Sequence, residues 1–276
     1  MTARLGLRAV ALGYLALLLV LPVALIFWRT FEDGLDPVWQ TLQDPGFQHA
    51  LWLTVVIAAI AVPANAIFGV VCAFVLVRQR FHGKRALNSL IDLPFALSPI
   101  VVGLSLVLVY GRQGWLGEWF EANGVRVIFA VPGMVLATIF VSLPFVVREV
   151  VPVLREVGTE QDEAAWTLGG SPWSTFRRVT LPAIRWGVTY GVVLTTARAL
   201  GEFGAVSVVS GRIEGRTETL TLHVQNSLEN FDRVGAYTAS VVLALLAVLT
   251  LLAMNAFRRK EVPNGDRSAP RQQAVR

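Results

Sequence analysis

Ala50 to Val77 reads ALWLTVVIAAIAVPANAIFGVVCAFVLV, a run of 28 residues without one Asp, Glu, Lys or Arg. As a helix it rises about 42 Å, more than the ~30 Å hydrocarbon core of a bilayer. In that core no water bonds the peptide groups, so such a segment must satisfy its backbone internally, as a helix does. Five more apolar runs have comparable length: Ala9 to Trp28, Ser89 to Tyr110, Val127 to Val147, Trp186 to Ser210 and Val234 to Phe257. The sequence therefore predicts an all-α, polytopic membrane protein with six transmembrane helices in one domain over 9–257. Residues 1–8 form a short N-terminus, and 258–276 a basic tail expected to be disordered.

The composition agrees. Of 276 residues 54% are hydrophobic and 16% charged, against roughly 25% charged in a soluble domain. Arg4 and Arg8 precede the first run as in a secretory leader. That run is long for a leader, however, and ends Ile26-Phe27-Trp28-Arg29 without a small-x-small cleavage site, so it reads as a retained helix. The single cysteine, Cys72, lies inside the second run and reads as packing, since one thiol cannot form an internal disulfide.

The basic residues orient the chain. With both termini in the cytoplasm, the N-terminus, the Arg78 to Arg85 turn, the Arg148 to Arg185 loop and the tail hold 17 of the 24 Lys and Arg residues. Six lie in the opposite loops, and Arg198 falls within a span. Basic loops stay on the cytoplasmic side, which selects this arrangement over its inverse. The same bias accounts for the net charge of +5, with the tail beside anionic lipid headgroups and no nucleic-acid partner required.

Several chemistries are excluded. No Gly-x-x-x-x-Gly-Lys-Ser/Thr loop is present to cradle nucleotide phosphates, so the chain is not expected to hydrolyse ATP. His49, His82 and His223 are scattered over three loops on both sides of the membrane, without metal-ligand spacing. No nucleophile motif accompanies them, and no catalytic residue is assigned.

One inside loop, 148–185, carries helix signals of its own. Thr159-x-x-Asp162 has the form of a capping box, with Asp162 near the positive end of a helix running to Leu168. Gly169-Gly170 stops that helix, and Ser171 with Pro172 starts another that ends near Leu181-Pro182. Ala164 and Ala165 give the first helix a low-relief surface. A plain structured loop is one reading; a DNA-reading helix-turn-helix fits poorly, because both ends are tethered to membrane spans.

The run Glu163-Ala164-Ala165, then Gly169, then Val179-Thr180-Leu181-Pro182, resembles the Glu-Ala-Ala loop of bacterial ABC-importer permeases, with Val179 where that pattern has isoleucine. The resemblance implies a type I permease bundle in the bacterial plasma (inner) membrane. It also implies that residues 160–168 are a coupling helix seated in a groove of an ATP-binding subunit. Glu163 would contact that subunit, Gly169 would permit the turn, and two such subunits would bind ATP and Mg, neither of which this chain holds. Their closure would rock the bundle between inward-open and outward-open states.

Along nearly the whole chain the sequence is similar to sulfate/thiosulfate permeases and, more distantly, to molybdate permeases. The segments that carry this are Ile91 to Pro99, Leu143 to Glu149 and Ala197 to Gly211. Within the sulfate group it looks like the W type, which implies a heterodimer with a T-type permease and docking of an extracytoplasmic sulfate-binding protein. A molybdate/tungstate importer is the alternative; a self-contained secondary transporter or channel is the alternative of another class.

Path or gate candidates come from residues unusual at membrane depth. Arg198 and Glu202 are four apart in the fifth run and can pair on one helix face. Two readings stay open: a structural ion pair locking two helices, and a positive potential along an oxyanion path with Glu202 holding Arg198 or belonging to the gate. Gly187, Gly191, Gly201 and Gly204 allow close helix approach. Pro63, Pro94, Pro99, Pro132 and Pro144 can kink or break spans, and Ser98-Pro99 either kinks its span or lines the path. The outer loop 211–233 places Leu220, Leu222, Val224 and Leu228 among polar residues without a clean helical stripe.

Overall fold

A computed structural model describes the backbone of residues 2–260 and the side chains of residues 6–253. All the regular structure of the described residues is helical. α1 (Thr2–Leu15), a π-turn (Ala16–Val20) and α2 (Leu21–Phe31) form one continuous apolar rod, and none of its most apolar stretch is buried. α3 (Leu35–Gln43) comes next and packs on the later helix Arg233–Lys260. α4 (Pro45–Arg78) follows, capped by Asp44, whose carboxylate accepts the Phe47 N–H at 2.8 Å. α5 (Lys84–Ala96), α6 (Pro99–Tyr110), α7 (Gly117–Ala122) and α8 (Val131–Val157) come next. The former 148–185 loop contains α9 (Glu160–Thr167), α10 (Pro172–Thr175), a π-turn (Phe176–Thr180) and α11 (Leu181–Ala183). α12 (Arg185–Leu200), α13 (Gly204–Val209), α14 (Leu220–Glu229) and α15 (Arg233–Lys260) follow.

Among the described residues, four helices are long and apolar enough to cross a membrane, and five when the bent pair α5 and α6 counts as one span. The expected third run is that pair, bent by 112°. Proline disfavours a helical conformation in the residue before it, and Leu97 and Ser98 are extended, with Pro99 opening α6. The expected fifth run is broken too, because α12 stops after 16 residues and α13 resumes beyond Gly201-Glu202-Phe203. The fourth run instead continues past Val147 to Val157, since Val150, Val151 and Leu154 bury against Leu76 and Ile184. α15 reaches Lys260; the rest of the basic tail lies outside the described residues.

The centre is α8, packed between α4 and α12. Helices in lipid gain little from apolar burial alone and approach through small residues. A Cβ placed on Gly69 of α4 would meet Val146 Cβ at 2.6 Å, and one on Gly191 of α12 would meet Val146 Cα at 2.7 Å. Val146 is fully buried between these two glycines. Gly187 sits as closely on Glu149 and Val150, so the Gly-x-x-x-Gly pair is a packing device. Cys72 belongs to the same apolar cluster.

Gly69→Val and Gly191→Val overpack this junction, and each is expected to cost about 1–3 kcal/mol. Thermal unfolding in detergent should show a lowered midpoint for both. Gly13→Val, at a position with nothing within 4 Å, should leave it near wild type.

Candidate functional site

α9 stands between two glycines at positive φ, Gly158 at 68° and Gly169 at 81°. Gly169 is thus a left-handed helix stop of the kind a Cβ disfavours. Glu160, Asp162 and Glu163 fill the first turn, where acids complement the helix dipole. Glu163 and Ala164 are exposed and Ala165 half-buried. Trp166 is 53% exposed, Leu168 89% and, from α10, Trp173 69%. Three large apolar side chains of the α9–α10 segment are thus left uncovered. Ser171 caps α10, accepting the Ser174 N–H at 3.3 Å. Leu181 and Pro182 open α11 and remain exposed.

The expected capping box does not form. Thr159 already has helical angles (φ −109°, ψ −9°) and its side chain caps nothing, since an N-cap acts from an extended conformation. Asp162 is engaged elsewhere, as the only buried residue of α9. Its Oδ2 lies 3.0 Å from Nη2 of Arg78, at the end of α4, with side chains 8% and 10% exposed. Its Oδ1 accepts the Thr180 hydroxyl at 2.8 Å. Taking one partner from a buried ion pair costs on the order of 3–5 kcal/mol, because the other charge stays unpaired. A second tie at the same end joins α8 to α5. Arg148 donates to Asp92 through Nε at 2.7 Å and to Asn88 Oδ1 at 3.2 Å, and its Nη2 also contacts Asp92.

The path candidates lie at the breaks in the third and fifth apolar runs. Arg198 lies in the last turn of α12, and Glu202 just beyond it, in the break. Their ion contact is 2.7 Å, with Glu202 only 2% exposed. Glu202 Oε1 also accepts the Ala205 N–H at 2.9 Å, tying the start of α13, and its carbonyl accepts the Thr221 hydroxyl of α14 at 2.8 Å. The carboxylate is therefore held by its own fold as well as by Arg198. Ser98 is exposed, whereas Pro99 abuts Gly204, where an added Cβ would fall 2.8 Å from the proline Cβ. Gly103 of α6 sits equally close to the Ala205 carbonyl. The break in the third run thus packs on the break in the fifth.

At the far end of the bundle α14 is a formed helix, with Leu220, Leu222, His223 and Ser227 buried. Leu220 N–H donates to Thr54 Oγ1 at 2.8 Å, and Phe47 meets the His223 ring edge-on at 5.7 Å. His223 Nδ1 is 3.6 Å from Glu218 Oε2. The Glu218 carboxylate raises the His223 pKa above its ordinary value against the opposing effect of burial, and Asp44 and Glu214 add to the rise. Among the described residues no three His, Cys, Asp or Glu side chains gather as metal ligands.

Residues 65–261 match the family described as "Binding-protein-dependent transport system inner membrane component". This chain belongs to that family. It is accordingly a multi-pass inner-membrane permease subunit of an ABC transporter, without an ATPase domain of its own. Among its relatives, "Sulfate transport system permease protein CysW" of Synechocystis sp. is 55% identical over 244 residues, covering 88% of each chain. "Probable sulfate transport system permease protein cysT" of Chlorokybus atmophyticus is 40% identical over 88% of this chain and 85% of that one. In structure the permease resembles a chain of a bacterial ABC transporter that imports the acidic polysaccharide alginate, with a TM-score of 0.78 at 15% identity over 94% and 96% of the chains. That likeness is one of fold.

Sequence reasoning missed Arg78 and Thr180 as partners of Asp162, and His223 as a partner of Glu218. Asp162 and Arg78 are 84 positions apart, and no local pattern joins residues so distant. The available signal was opposite charges at the ends of runs meant to share one side of the membrane.

A histidine whose folded pKa is raised contributes stability that is fully present below its unfolded value, about 6.5. That contribution is lost as pH rises through the higher folded pKa. Thermal unfolding of wild type and His223→Gln in detergent should differ most below about pH 6.5 and converge at alkaline pH. A difference independent of pH would contradict this assignment.

Proposed function

We propose that this chain is the W-type permease subunit of an ATP-driven sulfate/thiosulfate importer in the bacterial plasma membrane, paired with a T-type permease. The observation that carries the reading is α9, a short exposed helix that holds Glu163-Ala164-Ala165 between two positive-φ glycines. It has the size and exposure of a docking element, and its apolar rim of Trp166 and Leu168 offers a partner something to cover. In this reading Glu163 contacts an ATP-binding subunit, Gly169 sets the turn, and Leu181 and Pro182 carry the loop back to α12. Two such subunits bind ATP and Mg. The W-type assignment is supported by the 55% identity to the Synechocystis protein, against 40% to the T-type relative, and the sulfate assignment by the names of both.

The bundle has six spans in this reading, with α5–α6 and α12–α13 as broken ones and both termini cytoplasmic. Residues 9–257 are the permease domain, 148–185 the ATPase-contacting region and 258–276 a basic cytoplasmic tail. An irregular backbone at membrane depth is tolerated where protein or a water-filled cavity satisfies it. The junction of Ser98-Pro99 with Arg198, Glu202 and Gly204 is therefore the place to seek the path or gate. Arg198 is largely neutralised by Glu202, so the pair acts as a clamp on the break rather than as an open anion site. A sulfate-binding protein docks on the side that carries α14.

In a strain lacking this chain, labelled sulfate uptake should be lost and should return with the wild-type gene, with thiosulfate competing. Glu163→Lys and Gly169→Val should lower uptake about tenfold or more while the chain still reaches the membrane, as removal of a coupling term of about 1–3 kcal/mol would do. Normal uptake in both variants contradicts the docking role. Retained sulfate uptake with lost molybdate uptake reassigns the substrate.

A further inference from the structure

α4 is 34 residues long, about 50 Å as a helix, and is held by polar contacts toward both ends. At one end Arg78 meets Asp162 of α9, with Thr180 bonded to the same carboxylate. Toward the other, Thr54 accepts the Leu220 N–H of α14, Phe47 packs on His223, and His49 Nε2 lies 3.2 Å from the Arg216 carbonyl just before α14. One helix therefore touches the candidate docking helix on one side of the membrane and the buried outer helix on the other.

The inner contact suits a mechanical role. Asp162 is the only buried residue of α9, and the backbone enters and leaves that helix next to glycines at positive φ, which lack the restraint of a Cβ. The buried pair is thus the firm connection between α9 and the long spans. A charge pair out of water resists separation, because either partner alone is left uncompensated. Arg78 Nε and Nη2 are both buried without a hydrogen-bond acceptor, so what ties the guanidinium to Asp162 is the 3.0 Å ion contact. Along its length α4 is locked to α8 through Gly69 and Val146, so that displacement of its inner end moves a packed body.

We propose that Arg78 and Asp162 are positioning residues of the transport cycle: their ion pair lets α4, which stays one helix through Pro63, carry the displacement of α9 to α14. Closure of the ATPase on one side and rearrangement of the outer face on the other then become a single rigid-body movement. This inference rests on α9 being the ATPase-docking helix. Spatial intermediacy alone does not establish coupling, which has to be measured as a change in one event caused by cutting the link to the other.

The test uses the whole complex in proteoliposomes, with ATP hydrolysis and labelled sulfate uptake read from the same vesicles. Asp162→Asn and Arg78→Gln should keep most of the hydrolysis yet move about tenfold less sulfate per ATP, within the range of coupling factors between linked sites. The exchange Arg78→Asp with Asp162→Arg should restore most of that ratio, since it returns a buried opposite-charge pair. If Asp162→Asn fails to assemble, Thr180→Val, which removes only the hydroxyl bond, should lower the same ratio by a smaller factor. A ratio unchanged in the assembled single variants, or hydrolysis and uptake falling in parallel, overturns the inference. A wild-type complex that takes up sulfate without ATP overturns the docking reading beneath it.

Discussion

Everything in this bundle depends on how closely α4 and α12 can approach α8. In lipid an apolar side chain gains little by leaving one hydrocarbon surrounding for another, so association relies on dense backbone contact. Gly69 and Gly191 supply it from opposite sides of Val146, at separations no Cβ would survive. Two apolar clusters extend from this junction, one around Ala73 and Leu154 and the other around Met134 and Val206. The polar ties among Arg78, Asp162 and Thr180, and among Arg148, Asp92 and Asn88, fasten one end of the same three-helix body. α14 fastens the other.

Around this stiff centre lie the irregular parts of the fold. Two of the apolar runs break, at Leu97-Ser98-Pro99 and at Gly201-Glu202-Phe203, and the breaks pack on each other. Glu202 closes several bonds that a broken helix leaves open, which explains an acid almost wholly buried in this place. The exposed α9 carries the other departure from a regular bundle. Family membership supplies the permease role, and the placement of these features relative to the rigid centre gives that role a physical form.

Much of this was legible in the sequence because membrane helices leave a strong local record. Apolar length located the runs, and Ser171-Pro172 with Gly169 bounded the short helices; of the five prolines that could kink or break spans, Pro99 stands at a break while Pro63, Pro94 and Pro144 lie inside helices. The Gly187 and Gly191 spacing announced close packing. Tertiary contacts left no such record. Thr159 had the spacing of a capping box, but Asp162 gained more from Arg78 and Thr180, so a local rule lost to a distant partner. The fifth run looked continuous in composition, since nothing in Gly201-Glu202-Phe203 forbids a helix as proline does. Its break depends on Glu202 capping α13 and binding α14. α14 escaped notice because its buried set, Leu220, Leu222, His223 and Ser227, includes polar residues whose burial depends on α4 and Glu218.

The central claim is that this chain moves its anion only with energy from a separate ATPase. Its most direct test is labelled sulfate uptake by the purified complex in vesicles without any ion gradient, with ATP or a non-hydrolysable analogue supplied to the ATPase side. Uptake with ATP and none with the analogue is the predicted result. Uptake that proceeds without ATP, or that follows an imposed ion gradient instead, would contradict the account and make the chain a self-contained transporter.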